Sequence, residues 1–189
     1  MKFHVDLRDF QNVRVEVGNS ADEILAKGYL SVQIKAAHVR TVGVILDADS
    51  HAAGRYQRVR QLLAALFPSL PKEMPKEGLI ADNEDNKRLG LWIMPDNESE
   101  GGLETLLRNL IPNESEGLWK WACEALDSAL ALGAACRPSH HEKARLYTWL
   151  AWQDEPGQSP GTALTRKILD PRSDRAASFV NWFKALYAI

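Results

Sequence analysis

Apolar and polar residues alternate over residues 13–17, where Arg14 and Glu16 separate Val13, Val15 and Val17, and this period of two predicts a strand. Gly18, Asn19 and Ser20 then supply a turn and a helix cap. Residues 21–37 carry Ile24, Leu25, Leu30 and Ile34 on a helical pattern that Gly28 weakens. The pattern next changes to a short apolar run, Val42, Val44, Ile45 and Leu46, which predicts a strand covered on both faces. A helix is expected over residues 52–67, because Val59, Leu62, Leu63 and Leu66 fall at i, i+3, i+4 and i+7. Pro68, Pro71 and Pro75 break that helix into a connector.

Residues 79–81 read as a short strand and residues 89–94 as a longer, buried one. Leu103, Leu106, Leu107 and Leu110 repeat the helical spacing after it. The order strand, helix, strand, helix, strand, strand, helix argues for an α/β fold with a mostly parallel sheet flanked by helices. From Ser115 onwards the pattern is helical, with helices expected over residues 116–135, 142–152, 162–169 and 173–187. The organisation expected is therefore an α/β domain over residues 1–111 and a helical C-terminal extension over residues 112–189, packed on it. Five of the six tryptophans lie in the second part, which fits helices packing on the sheet or joining copies of the chain as a homo-oligomer.

Composition narrows the chemistry. A formal charge of −2 provides no general basic field, so a polyanion would be held by a local patch or through a metal. Two cysteines, Cys123 and Cys136, exclude a disulfide-rich scaffold and a four-cysteine zinc site. No apolar run approaches the roughly 20 residues that span a bilayer, and the N-terminal residues lack the apolar core of a signal peptide. A cytoplasmic protein with no membrane partner is expected.

The candidate chemistry lies where the apolar strands end. The run over residues 42–46 opens into Asp47 and Asp49, two carboxylates one residue apart. Such a pair at the end of a strand can turn towards one hard cation, and oxygen-only ligation suits Mg²⁺ or Mn²⁺ better than zinc. The strand over residues 89–94 also ends on acid, at Asp96. If the two strands are neighbours, Asp47, Asp49 and Asp96 meet at one sheet edge, and such a cluster repels itself unless a cation sits in it. Glu98, Glu100 and Glu104 stand near enough to add a ligand or a proton-transfer group. Glu104 is preferred because the first turn of a helix fixes its position.

Each of these residues also has a structural reading. Asp49 or Ser50 can cap the next helix. Glu104 can be a first-turn acid favoured by the helix dipole and paired with Arg108. Arg55 and Arg58 share a helix face suited to phosphate, or to ion pairs with nearby acids. His141 and Lys143 belong to a further polar cluster with His140 and Arg145, fit for proton transfer or phosphate contact, or for capping and surface roles.

Together the blocks Val42-Gly43-Val44-Ile45-Leu46-Asp47-Ala48-Asp49 and Gly90-Leu91-Trp92-Ile93-Met94-Pro95-Asp96-Asn97, leading to Gly102-Leu103-Glu104, resemble a small family of uncharacterised bacterial proteins related to Toprim domains. His141-Glu142-Lys143-Ala144, Leu150-Ala151, Pro156-Gly157 and Gly161-Thr162-Ala163 extend the resemblance over most of the chain. Toprim is the topoisomerase–primase fold, shared with nucleases of the overcoming-lysogenization-defect type. The resemblance implies a Toprim-like sheet, Mg²⁺ held by Asp47 and Asp49 with Asp96, and action on phosphodiester bonds of DNA or RNA. It also implies a proton-transfer glutamate at the end of a first strand. The usual Glu-Gly-x-x-Asp block has no counterpart here, and Glu16-Val17-Gly18 is the nearest approach. Either the first strand is missing, or residues 1–7 replace it without its glutamate, or another acid substitutes, with Glu104 the first choice and Glu16 the second.

Three other readings compete. One is a catalytically silent relative that binds metal, nucleotide or a protein partner. The others are a glycosyltransferase with an Asp-x-Asp pair and a phosphatase using Asp47 as nucleophile and Asp49 as acid. About forty residues before Asp47 leave the glycosyltransferase little room for a nucleotide-binding unit. Asp82, Asp85 and Asp96 match the second aspartate block of the phosphatase poorly.

Overall fold

The computed structural model describes residues 13–189 apart from Asn19 and Lys27. Residues 1–7, the expected stand-in for a first strand, lie outside the described residues. The chain forms two compact units. One comprises Gly18–Leu106 with Ala176–Ile189, and the other is built on Leu107–Arg175 and takes in residues 13–17.

In the first unit, Ser20 caps α1 (Ala21–Ile24) by accepting the Glu23 N–H at 3.1 Å. α1 ends at Ile24 with Leu25 as its cap, and Gly28, at φ 93° in the left-handed region, is the N-cap from which α2 (Tyr29–Lys35) starts afresh. The single helix expected over residues 21–37 is thus two short ones. The chain continues through β1 (Thr41–Asp47), α3 (Ala52–Leu63), β2 (Leu79–Asp82) and β3 (Arg88–Met94). The three strands form a sheet in the order β1-β3-β2, with β1 parallel to β3 and β2 antiparallel to β3.

The described sheet is therefore mixed rather than mostly parallel, and the connections explain why. Between β1 and β3 the chain has room for the crossover helix α3, as a parallel pair requires. Between β2 and β3 only residues 83–87 intervene, which suffices for a hairpin alone. Asn83 organises that turn, its side-chain oxygen accepting the N–H groups of Asp85 and Lys87 at 3.0 and 2.9 Å.

As the central strand, β3 is buried from Leu89 to Met94, matching its continuous apolar run. The other expected two-faced strand, β1, stands at the edge of the sheet formed by the described residues. Val44 and Leu46 are buried, whereas Ile45 remains 38% exposed. Residues 13–17 run as irregular chain with Val15 and Val17 exposed, so their alternation does not form the expected strand. Alternation produces a strand only where a sheet edge takes up the backbone.

One face of the sheet presents Val44, Leu46, Leu89, Leu91 and Ile93 to Leu30 and Ile34 of α2 and to Tyr56, Val59 and Leu63 of α3. The other face receives α8 (Asp174–Tyr187), where Trp182 and Leu186 pack with Trp92 and Met94. The Trp92 and Phe179 rings meet edge-on at 5.4 Å, and the Trp182 indole N–H donates to the Leu79 carbonyl at 3.0 Å. This close seating depends on two glycines. Gly43 and Gly90 are partners in the β1–β3 register, and a methyl group on Gly90 would lie 2.4 Å from Cδ2 of Leu186. From Ala176 onwards, then, the last helix belongs with the sheet and not with the helices that precede it.

The second unit is helical. The chain enters it along α4 (Leu103–Arg108), and α5 (Glu116–Ala131) and α6 (His141–Ala151) follow. These bury Trp119, Ala122 and Leu126 on α5 and Leu146, Trp149 and Leu150 on α6. Ser159 caps the short α7 (Pro160–Thr165), with Pro160 in the first turn where its missing N–H costs nothing.

Candidate functional site

Asp47 stands opposite Met94 in the parallel register, so the acidic loops after β1 and β3 leave the sheet from the same edge. The Ala48 N–H donates to the Met94 carbonyl at 3.1 Å and carries the pairing one residue further. The loop after β3 then folds back on the loop after β1. Asp49 and Gly101 exchange both backbone hydrogen bonds, at 2.9 and 2.7 Å. Asp49 has φ 53° and Gly101 has φ 120°, the latter a conformation suited to glycine.

This clamp delivers the start of α4 to Asp47. The Leu103 N–H donates to Asp47 Oδ1 at 3.0 Å. Gly102 makes the approach possible, because a methyl group there would lie 2.8 Å from both Cγ and Oδ1 of the Asp47 side chain. The residue as a whole is exposed, but its carboxyl group lies against this loop. Partial burial pushes the Asp47 carboxyl above the usual carboxylate range; the Leu103 N–H opposes the rise, and the negative charges of Glu104 and Asp49 add to it. Arg55 supplies the positive charge that lowers it. Its Nε donates to the Asp47 carbonyl at 3.2 Å, and its guanidinium forms an ion pair with the Asp49 carboxylate.

Asp96 behaves differently. One oxygen accepts the N–H groups of Glu98 and Ser99 at 3.1 and 2.7 Å, and the other accepts the Ser99 hydroxyl at 2.8 Å. Burial works against its charge, but the hydrogen bonds outweigh burial and hold its pKa below the ordinary value. The Asp96 carboxylate thus turns into its own loop instead of meeting Asp47 and Asp49. Asn97 anchors that loop from inside. It is buried, with its N–H on the Ile93 carbonyl at 2.7 Å, its side-chain oxygen on the Ile93 N–H at 2.8 Å, and its amide on the Lys76 carbonyl at 3.0 Å.

The remaining predicted residues are spread more widely. Arg58 pairs with Asp22 of α1. Glu16 lies in the irregular residues 13–17 of the other unit and pairs with Arg14 at 2.8 Å. His141 opens α6, with its Nε2 buried and without a hydrogen-bond partner. Lys143 lies 6.0 Å from the Tyr147 ring in the same helix. Reasoning from the sequence assigned no role to Gly101, Gly102, the Leu103 N–H or Asn97, although Asn97, Gly102 and Leu103 stand in the blocks that carry the resemblance. A Gly-Gly pair directly before a helical apolar pattern was the one available signal for the first three.

Asp47, Asp49 and Glu104 set three carboxylates against the single guanidinium of Arg55, an all-oxygen set of the chemical type that hard divalent cations take. Gly102 leaves the Asp47 carboxylate a cradle that any larger residue would fill. Among the described residues, no three His, Cys, Asp or Glu side chains gather at metal-ligand spacing. Among the described residues, no helix is long and apolar enough to cross a membrane.

No curated protein and no solved structure matches the chain. A family model does match, over residues 2–188, which is nearly the whole sequence. On that match the chain belongs to the family described as protein of unknown function, DUF3226.

Proposed function

We propose that this is a Toprim-like, Mg²⁺- or Mn²⁺-dependent cytoplasmic protein acting on phosphodiester bonds of DNA or RNA. The observation that supports it best is the crowding of Asp49 and Glu104 around a partly desolvated Asp47 at the end of a parallel strand pair. In this reading Asp47 and Asp49 hold the cation, which when bound supplies charge neutralisation and activation of water. Glu104, held on the first turn of α4 beside Asp47, takes the proton-transfer role. Arg55, on the first turn of α3, stands nearer the aspartates than Arg58 and is the arginine proposed for a phosphate oxygen, although in this structure it pairs with Asp49 as Arg58 pairs with Asp22.

A second reading, a catalytically silent relative that binds metal, nucleotide or a partner, is favoured by Asp96, whose carboxylate is used within its own loop. Cleavage of labelled single- and double-stranded DNA and RNA, with Mg²⁺ or Mn²⁺, separates the two. Asp47→Ala and Asp49→Ala are expected to abolish cleavage, and Glu104→Gln to slow it by about 10²- to 10⁴-fold. Activity that survives Asp47→Ala overturns the site. Metal binding without cleavage of any substrate selects the silent reading.

A further inference from the structure

We infer that Arg108, His141, Arg145 and Trp149 form a phosphate-binding site along the seam between α5 and α6, separate from the Asp47 loop and independent of the metal reading. The seam is built from two strips. Trp119, Cys123 and Asp127 follow one another at four-residue spacing on α5, and His141, Arg145 and Trp149 do so on α6. Arg145 bridges the strips, pairing with Asp127 at 3.6 Å. Arg108, the last residue of α4, lies over the Trp119 ring at 4.9 Å. Burial raises the pKa of the Cys123 thiol while the charges of Arg145 and Arg108 act against it, so both guanidiniums stand within electrostatic reach of the middle of α5.

Each of the four residues holds a buried nitrogen with no hydrogen-bond partner: Nη1 of Arg108, Nε2 of His141, Nε of Arg145 and Nε1 of Trp149. Among the described residues these are the only buried side-chain nitrogens left unpaired. Three are fixed donors, and Nε2 of His141 donates in the tautomer that carries its proton there. Folded proteins leave few buried donors unpaired, because the water lost on burial is not replaced. Trp149 is wholly buried, so its N–H cannot turn to solvent. The neighbouring acids do not meet this demand. Glu116 takes Nη2 of Arg108, while Glu142 and Asp127 take Nη1 and Nη2 of Arg145, and in every pair the acid is the more exposed partner. Binding therefore breaks no ion pair, since the nitrogens on offer are those the acids leave. A phosphate group supplies what they need, several acceptor oxygens on one charged centre. Solvent screens the exposed carboxylates that would oppose it.

The probes are inorganic phosphate and adenosine monophosphate, titrated by calorimetry into the full chain without divalent cations. Melting curves of each variant without ligand verify that it folds. Wild type should bind phosphate, and its melting temperature should rise with phosphate concentration. Arg145→Lys, which keeps the charge and removes the Nε donor, and His141→Ala should each weaken binding about tenfold, as for one hydrogen bond to a charged group. Trp149→Phe removes one neutral donor and should weaken it about two- to tenfold. Tighter binding of adenosine monophosphate identifies the phosphate of a nucleotide as the ligand, and equal or weaker binding identifies the free ion. If wild type binds neither probe, or if Arg145→Lys and His141→Ala bind as wild type does, water serves these donors and the site is overturned. Binding that is lost in Arg55→Gln yet kept in Arg145→Lys overturns it as well, because the ion then sits on the other unit.

Discussion

The backbone N–H of Leu103 donates to Oδ1 of Asp47 at 3.0 Å, tying the first turn of α4 to the last residue of β1. The hydrogen bond favours the Asp47 charge, but the same helix turn brings Glu104, whose negative charge adds to the cost that burial sets on ionising Asp47. A carboxyl whose pKa is raised by folding contributes stability below its ordinary value and loses it as pH rises through the folded value. At neutral pH without divalent cations, ionised Asp47 is therefore a liability. Asp47→Asn, which keeps an oxygen for the Leu103 N–H, should raise the melting temperature at pH 7 by about 1–3 °C, a small rise because solvent still screens the side chain. The gain should vanish near pH 3.

Divalent cations should compensate for the same crowding. Adding Mg²⁺ or Mn²⁺ should raise the melting temperature of the wild type by mass action, with a smaller rise in Asp47→Asn and in Asp49→Asn. An equal rise in all three proteins would place the ion elsewhere.

Gly102→Ala tests the cradle. The added methyl group would meet the Asp47 carboxylate at 2.8 Å, and that carboxylate is held by Leu103. Denaturant titration should show a loss of about 1–3 kcal/mol, the usual cost of overpacking, together with weaker cation stabilisation. A neutral result would mean that the loop yields and that close approach is not required.

Asp96 should show the opposite pH behaviour from Asp47. Its pKa is held down by the Ser99 and Glu98 donors, so it contributes stability above the unfolded value near 4 and loses it as pH falls below that. Asp96→Ala should cost about 1 kcal/mol at pH 7, comparable to losing a cap, and should flatten the stability profile below about pH 4. An unchanged profile would show that the Asp96 turn forms without the charge.

Gly90 and Leu186 should couple. Gly90→Ala sets a methyl group against Leu186 at 2.4 Å and should cost about 1–3 kcal/mol. Leu186→Ala alone should cost about 2–5 kcal/mol as a cavity. Because the second change opens space for the first, the double variant should lose less than the two costs added together. Simple additivity would mean that α8 is not seated on the glycine pair.

By itself the sequence determined that β1 and β3 exist, that each ends on acid, and that helices with apolar stripes surround them. Apolar runs and i, i+3, i+4 spacings record which faces avoid water, and Val44, Leu46, Leu91 and Ile93 do so in the structure. Tertiary structure decided what those faces meet. Whether β1 is central or an edge depends on a neighbouring strand, which its own residues do not encode; among the described residues it is an edge, and Ile45 is apolar yet 38% exposed. Asp47 and Asp96 look alike in the chain, each closing an apolar strand. They separate because Ser99 and Glu98 offer local donors to Asp96, whereas Asp47 finds the N–H of a residue 56 positions away. A backbone N–H carries no side-chain signature, and a glycine shows its purpose only when the group it admits is in view. For that reason Leu103 and Gly102, which shape the candidate site, became visible only in the folded chain.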